Sequence, residues 1–347
     1  MRVSSVVAVL AACVALFATP FGSAQAQSNP QPMAEFYKGR NIEFIVGWSA
    51  GAGYDVYARF LARYIGRHIP GNPSVVTQNL SGAASLRATN YLYNVAAKDG
   101  TVFGMIGRGT AFDPLLLSNA AAQFEAAKFN WLGSMNDEVS VCVAWGEPGV
   151  TKLDDVYTKE LIIGGSGPSA DTDQFPQLMN RMLGTKFKII PGYPGGNEIN
   201  LAMQRGEVKG RCGWSWSSVR VTHPEQYRTK AFHVLVQLSL SKHADLPDIP
   251  LVMDLAKNDE QKQMFKLVFA RQVMGRPVLA PPGVPGDRLA ALRKAFMDTM
   301  KDPEFLAEAA RTKIEITPVS GEAVQKLVEE IYAQPREIAR KTGDALK

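Results

Sequence analysis

Histidine and cysteine are scarce in this chain, four and three in 347 residues, and neither is spaced to hold a metal. His68, His223, His233 and His243 form no His-Glu-x-x-His pair, and no two cysteines stand close enough for a zinc clamp. No metal and no cofactor is therefore expected. A nucleotide site lacks its parts as well. No Walker lysine follows a glycine-rich loop, no glycine stands three places after Gly53, and Gln78-Asn79 occupy the place of the acid that would bind a ribose. Runs of Lys and Arg interleaved with aromatics are missing, so nucleic acid is not an expected partner. Tandem repeats, low-complexity tracts and a Ser/Pro-rich linker are missing too, so any division into lobes must come from the chain crossing between them more than once.

The long apolar run that does exist stands at the start. Arg2 precedes apolar residues from Val3 to Phe17, and Ala24-x-Ala26 follows with the small side chains signal peptidase needs. Residues 1–26 read as a secretory signal cleaved after Ala26, leaving Gln27 as the first residue of an exported chain. A competing reading is a lipoprotein box, Leu10-Ala11-Ala12-Cys13, which would put a lipid on Cys13 but cut the apolar core in half. No later stretch approaches the roughly 20 continuous apolar residues needed to span a bilayer, so the rest is expected to be soluble. Loss of Arg2 leaves 37 Lys plus Arg against 33 Asp plus Glu, a small positive excess that favours anions. Cys142 and Cys212 remain. An oxidising compartment could close them into a disulfide, and two buried free thiols fit the sequence equally well.

From Ile42 the chain alternates short β-rich runs with amphipathic stretches, which predicts α/β layering. Strands are expected at 42–46, 74–78, 102–106, 139–144, 161–163, 187–190, 208–212 and 233–238. After Pro250 the spacing turns helical, with helices expected at 285–300, 303–311 and 322–339. Roughly 320 mature residues suffice for two cores. Crossings near Asn136–Ser140 and Gln237–Ser241 divide them into lobe one, 27–138 plus 240–347, and lobe two, 139–239, with a ligand cleft between.

The feature richest in chemistry is Gly47-Trp48-Ser49-Ala50-Gly51-Ala52-Gly53, a turn from the first strand into a helix with Val56, Tyr57, Phe60, Leu61, Tyr64 and Ile65 at helical spacing. Gly51 and Gly53 let a ligand approach the backbone, and the opening N–H groups of the helix are unpaired at its positive end. Asp55 falls in the first helical turn, where it can cap a free N–H. The plain alternative is a tight turn and nothing more. The same residues spell Gly47-x-Ser49-x-Gly51, the nucleophile elbow of a serine hydrolase, but no earlier strand supplies an oxyanion loop and no histidine has a distinctive context. Two further turns, Gly164–Ser169 and Pro191–Gly196, repeat the arrangement. Trp48, Tyr54, Trp214 and Trp216 adjoin these turns, either to line a cleft or to pack its rim. Arg108 is a candidate carboxylate partner through its planar fork, or else a solvated surface charge.

In order along the chain, these segments resemble the TctC/Bug family of extracytoplasmic solute-binding receptors. Gly47 to Asp55 is similar to the family's P-F-P-A-G-G-G-T-D loop, Lys98-Asp99-Gly100-Thr101 to P-D-G-Y-T, and Tyr193-Pro194-Gly195-Gly196 to Y-K-G-G. Gly206-Glu207-Val208 matches G-E-V-D except at Lys209, and Leu246–Pro250, Ala280–Pro285 and Asp302–Phe305 resemble L-P-D-V-P, A-P-A-G-T-P and D-P-E-F. The resemblance implies a two-lobed periplasmic-binding-protein-like fold, α/β in class, that closes on a small carboxylate. The acid would be a di- or tricarboxylate, an amino acid or an aromatic acid. It further implies a periplasmic, non-catalytic monomer that delivers this ligand to a two-subunit membrane permease of the tripartite tricarboxylate type, or acts as a sensing co-receptor. The ligand-binding residues expected are Ser49, Ala50, Gly51, Ala52, Gly53, Tyr54 and Asp55 from lobe one, Gly167 and Ser169 from lobe two, with Arg108 and Trp214 added from their own context. Three positions depart from the family: Tyr54 stands for Thr, Ser49 for Pro, and Asp173 where His is common. Bulkier aromatics and an extra acid point to a ligand unlike citrate.

Overall fold

The computed structural model describes residues 32–146 and 149–347. The signal segment 1–26 and the alternative at Cys13 lie outside them. Among the described residues, no helix is long and apolar enough to cross a membrane.

The fold is α/β, with two sheets flanked by helices. The first contains β1 (Asn41–Val46), β2 (Ser74–Asn79), β3 (Val102–Met105), β4 (Asn130–Ser134), β10 (Pro277–Ala280) and β11 (Val319–Ser320), in the order β11-β4-β10-β3-β1-β2. The second contains β5 (Ser140–Trp145), β6 (Leu161–Gly164), β7 (Phe187–Ile190), β8 (Gly210–Ser215) and β9 (Phe232–Leu238), ordered β7-β6-β8-β5-β9. β1 pairs in parallel with β2 and β3, whereas β10 runs antiparallel between β3 and β4. The chain leaves the first sheet after Ser134, builds the second, and returns at Pro277.

The two passages between sheets are bonded side by side. Met135 N–H donates to the Arg276 carbonyl at 3.1 Å, Gly275 N–H to Asn136 at 2.9 Å, and Glu138 N–H to Gln272 at 2.8 Å. Buried beside this ladder, the Arg276 guanidinium meets Glu138 at 3.1 Å and lies 4.7 Å above the Tyr54 ring and 4.6 Å above Tyr57. Removing one partner of such a buried pair costs about 3–5 kcal/mol, because the other charge is left dry and unmatched. The crossing is thereby tied to the turn that follows β1.

Most expected elements form, and the exceptions have physical causes. β4 reads Asn-Trp-Leu-Gly-Ser, a poor strand by propensity, yet Gly133 takes φ +152° where a Cβ would collide with Phe296. Contact with a distant helix therefore makes this strand. β10 opens on Pro277, the first residue of a strand being one of the few places in a sheet that admits proline, and interrupts what the sequence reads as helical cover. The strand expected at 208–212 is displaced to Gly210–Ser215, while the helix expected at 322–339 is two, Gly321–Tyr332 and Arg336–Ala345. Pro335 has no N–H to continue the first of them. Cys142 on β5 and Cys212 on the adjacent β8 are joined in a disulfide, which resolves the alternative left by the sequence.

The helix Gly53–Ile65 shows how the sequence builds the first turn's support. Tyr57, Phe60, Leu61, Tyr64 and Ile65 are buried on one face, and Phe60 stacks on Phe305 with centroids 4.5 Å apart. Each such fully buried side chain contributes about 1.5–3 kcal/mol relative to exposure. That packing fixes where the open end of the helix points.

Candidate functional site

A narrow cleft runs between the strand ends of the two sheets. Trp48, Ala52, Gly53, Tyr54 and residues 107–110 line it from the first, while Ser166, residues 169–172, Gly196, Asn197, Asn200, Arg211, Trp214 and Ser218 line it from the second. Its free room is about 60 Å³, space for about five ordered waters. The Asn197 side-chain amide donates to the Ala50 carbonyl at 3.2 Å across its mouth.

Three helices open onto this cleft, at Gly53, Asp171 and Gly196, and their N-cap residues Ala52, Ala170 and Gly195 supply no side-chain acceptor. Three helices elsewhere are closed by a side chain, while others, such as Gly286–Thr299, also start without one. Asn258, Asp302 and Ser320 cap the helices that start at Asp259, Pro303 and Gly321. An uncapped start leaves N–H donors and the positive end of the helix dipole available to an anion. Three of them around one small cleft make it an anion cradle.

The first turn is held by Asp55, whose carboxylate points away from the cleft. It accepts from Gly51 N–H at 2.8 Å, from Arg59 Nε at 2.8 Å and from Asn79 Nδ2 at 2.8 Å. Burial alone would raise its pKa, but the bonds from Arg59, Gly51 and Asn79 outweigh that and hold it below the usual carboxylate value. Gly51 adopts φ +75°, a conformation that favours glycine and turns its N–H back toward Asp55.

Among the expected site residues, Ala52, Gly53, Tyr54, Arg108, Ser169 and Trp214 line the cleft. Ser49, Ala50, Gly51, Asp55 and Gly167 are not among the residues that line it, and Ala50 and Gly51 are exposed. Gly167 N–H is taken by Asp173 at 3.0 Å, and Asp173, half-buried and with its pKa raised by desolvation, serves its own loop. The extra acid thus faces the loop and not a ligand. Trp216 also lies outside the lining, its buried ring packed edge-on against the exposed Tyr227. Trp48 stacks on Tyr54 with centroids 5.5 Å apart, leaving its buried Nε1 without a hydrogen-bond partner.

Arg108 is neither a free ligand hook nor a surface charge. Its buried guanidinium meets Asp171 at 2.7 Å and also donates to Ser140 at 2.7 Å and Ser215 at 3.2 Å. Burial disfavours its charge, but Asp171 more than offsets this and raises its pKa. The cation left over is Arg211 on β8. Its Nη1 donates to Gly196 O at 3.1 Å and Asn200 Oδ1 at 3.0 Å, its Cζ lies 5.1 Å from the Trp214 ring, and it forms no ion pair among the described residues. Burial pushes its pKa down to about 9, with Glu198 near enough to oppose but not to bond. Sequence reasoning missed Arg211; its place two residues before Gly213-Trp214, on a strand ending at the cleft, was the available signal.

The nucleophile-elbow alternative finds no partner for its serine. Ser49 Oγ is buried without a hydrogen bond, while His223 contacts Asn200 and Thr222, and His243 faces Glu315.

The two-sheet architecture with its cleft is the fold of the two-lobed periplasmic binding proteins. The chain is similar to the periplasmic binding protein BugD, with TM-score 0.71 and 20% identity over 88% of this chain and 99% of that one. It is also similar to MatC from Rhodopseudomonas palustris with bound malate, at TM-score 0.68 and 16% identity over 89% and 99% of the two chains. R. palustris Rpa4515 with adipate gives 0.70 and 18% over 88% and 98%. No protein-family model matches the sequence, and no curated protein matches it. At these identities the shared property is the fold.

Proposed function

We propose that this chain is a periplasmic solute-binding receptor of the TctC/Bug type that captures a small carboxylate and performs no chemistry on it. The observation that carries this reading is the convergence of three uncapped helix starts, at Gly53, Asp171 and Gly196, on a cleft whose lining holds more cationic than anionic side chains. Each helix terminus contributes about 0.3–1 kcal/mol toward an anion in the open and up to about 2 kcal/mol when partly buried. The malate and adipate bound by two similar proteins support the same ligand chemistry. In this reading Ala52, Gly53 and Tyr54 grip from lobe one (27–138 plus 240–347), and Ser169 and Trp214 grip from lobe two (139–239). Ser49, Ala50, Gly51, Asp55 and Gly167 hold the two loops in shape. Signal cleavage after Ala26 delivers a monomer to the periplasm, where it hands the ligand to a two-subunit permease.

A thermal-shift screen of dicarboxylates, amino acids and aromatic acids tests the reading. At least one acid is expected to raise the melting temperature. If none does while a neutral solute does, the carboxylate assignment is wrong. A serine-reactive fluorophosphonate is expected to leave Ser49 unlabelled, and labelling lost in Ser49→Ala would restore the hydrolase.

A further inference from the structure

Two sets of charges tie the side of the molecule built on the first sheet to the side built on the second, and water reaches only one of them. The Glu138–Arg276 pair is dry, with side-chain exposures of 2% and 0%. Glu138 also accepts from Ser217 N–H at 3.2 Å, and Arg276 donates to Ser218 Oγ at 2.8 Å, so the pair holds the start of the helix Trp216–Thr222 to the crossing. Parting it would leave two unmatched charges out of water, so it stays made and serves as a pivot.

The second set lies farther along the same helix, at the surface. Arg220 meets Glu315 at 3.2 Å and Asp245 at 3.3 Å, and His243 Nε2 stands 3.5 Å from Glu315. Arg220 follows β8. His243 and Asp245 follow β9, pinned to it by Gln237, whose Oε1 accepts from His243 N–H at 2.7 Å and whose amide donates to the Leu246 carbonyl at 2.8 Å. Glu315 alone comes from the first sheet's side, just before β11. Tyr57 Oη clamps its backbone, accepting from its N–H at 3.1 Å and donating to its carbonyl at 3.3 Å. The four side chains are 15–45% exposed, so water can replace each bond as it breaks. This set can be made and unmade.

The charge across the seam depends on His243. With the ring neutral, Arg220 and Asp245 cancel on the second sheet's side and face the single negative charge of Glu315. Protonation makes that side positive by one, and opposite net charges then meet across the seam. The other neighbours of the ring are accounted for. Its Nδ1 accepts from Asp245 N–H at 3.0 Å and lies 3.8 Å from the Asp245 carboxylate, Trp216 presents itself edge-on, and Lys242 turns away to the Pro247 carbonyl at 3.1 Å. A proton arriving at Nδ1 gives up the backbone bond and faces the Asp245 carboxylate instead, while Nε2–H still points to Glu315. The hydrogen bond to Glu315 holds the pKa of His243 above its ordinary 6.5, against burial and Arg220.

We propose that Glu315, His243 and Arg220 form a latch between the two lobes that a proton tightens, beside the permanent pivot at Glu138–Arg276, so that the ligand-free protein closes more readily in mildly acidic surroundings than in alkaline ones. This rests on the two-lobe reading above and is independent of what the ligand is. A ring that holds its proton more tightly when the lobes are together favours that arrangement fully below its ordinary pKa of 6.5, and the preference is lost as the pH rises through the raised value.

The test is the distance between the lobes in ligand-free protein. Val95, 70% exposed, and Leu201, 49% exposed, receive spin labels after Val95→Cys and Leu201→Cys, while the native Cys142–Cys212 bridge is buried away from the reagent. Double electron–electron resonance at about pH 6 and about pH 9, either side of the histidine range, reads the closed and open populations. The closed-to-open ratio of wild type is expected to fall about two- to fivefold from the lower pH to the higher, the contribution of one partly exposed ion pair. His243→Gln is expected to show the alkaline wild-type ratio at both. Glu315→Gln, which deprives Arg220 of its partner as well, is expected to be more open still and equally flat. Thermal melts establish that the variants fold, and either one carries the test if the other does not. A pH change that persists undiminished in His243→Gln overturns the latch. A wild-type ratio that ignores pH while Glu315→Gln opens the protein overturns the role of the proton and leaves the moving lobes standing. One unchanging distance in all three proteins at both pH values overturns the two-lobe motion together with the latch.

Discussion

Replacing Asp113 by asparagine is expected to stabilise this protein at neutral pH, and the structure gives both the size and the sign. Asp113 opens a short helix, Asp113–Leu116, and is only 1% exposed; neither carboxylate oxygen accepts a hydrogen bond. Burial pushes its pKa from the ordinary 3.8 up to about 6; Ser169, Arg271 and Asn119 pull the other way without overcoming it. A folded-state pKa above the unfolded one means that the folded chain holds the proton more tightly. Below pH ~4 the group is protonated in both states and costs nothing; the cost grows as the pH rises toward 6 and is fully present above it. At about 1.36 kcal/mol per pKa unit, the rise amounts to about 3 kcal/mol. The substituted amide never ionises, but it also withdraws a charge that favours buried Arg271, which trims the gain to about 1–3 kcal/mol. Urea denaturation of wild type and Asp113→Asn, from about pH 4 to pH 8, reads the difference directly. The variant should be the more stable one at pH 8, and the two curves should converge at pH 4. A variant less stable at pH 8, or a gap independent of pH, refutes the reasoning.

Asp55 behaves in the opposite sense. Its folded pKa lies below 3.8, so its contribution is present at neutral pH and is lost as the pH falls through that lower value. Asp55→Asn should lower stability by about 1–3 kcal/mol at pH 7 and by much less at pH 3, as measured by thermal melts at both. A methyl at Gly53 meets the Ser218 side chain in the cleft wall, and Gly53→Ala is expected to weaken binding of any acid found in the screen by about tenfold or more in titration calorimetry. The Cys142–Cys212 bridge closes a loop with a sequence separation of 70, worth about 4 kcal/mol in chain entropy. The double alanine variant should therefore unfold at lower urea, and wild type should lose the same margin under reductant; a midpoint unmoved by either would show that the bridge contributes nothing.

Local pattern made the first turn legible from sequence. A β-rich run, three glycines and a helix with one apolar face encode strand, turn and helix through contacts within about twenty residues of one another. The order of such units, and with it the α/β class, followed from the same periodicities. The misses share a cause as well. β4 exists because Gly133 admits Phe296, and β10 because it slots between β3 and β4; both depend on partners more than a hundred residues away.

The candidate site divides along the same line. By itself the sequence determined that glycine-rich turns precede helices, since backbone geometry is a local property, and it left open whether their N–H groups serve an anion or only close a tight turn. Only the tertiary structure decided which side chains face the cleft. Asp55 and Asp173 fold back onto their own loops, and Arg108, the cation singled out from its context, has Asp171 against it from the start of the helix Asp171–Leu183. Arg211, unremarkable in sequence, is half-buried beside Trp214 and forms no ion pair among the described residues. Whether a charge is already satisfied depends on what is brought against it across the fold, and spacing along the chain carries no record of that.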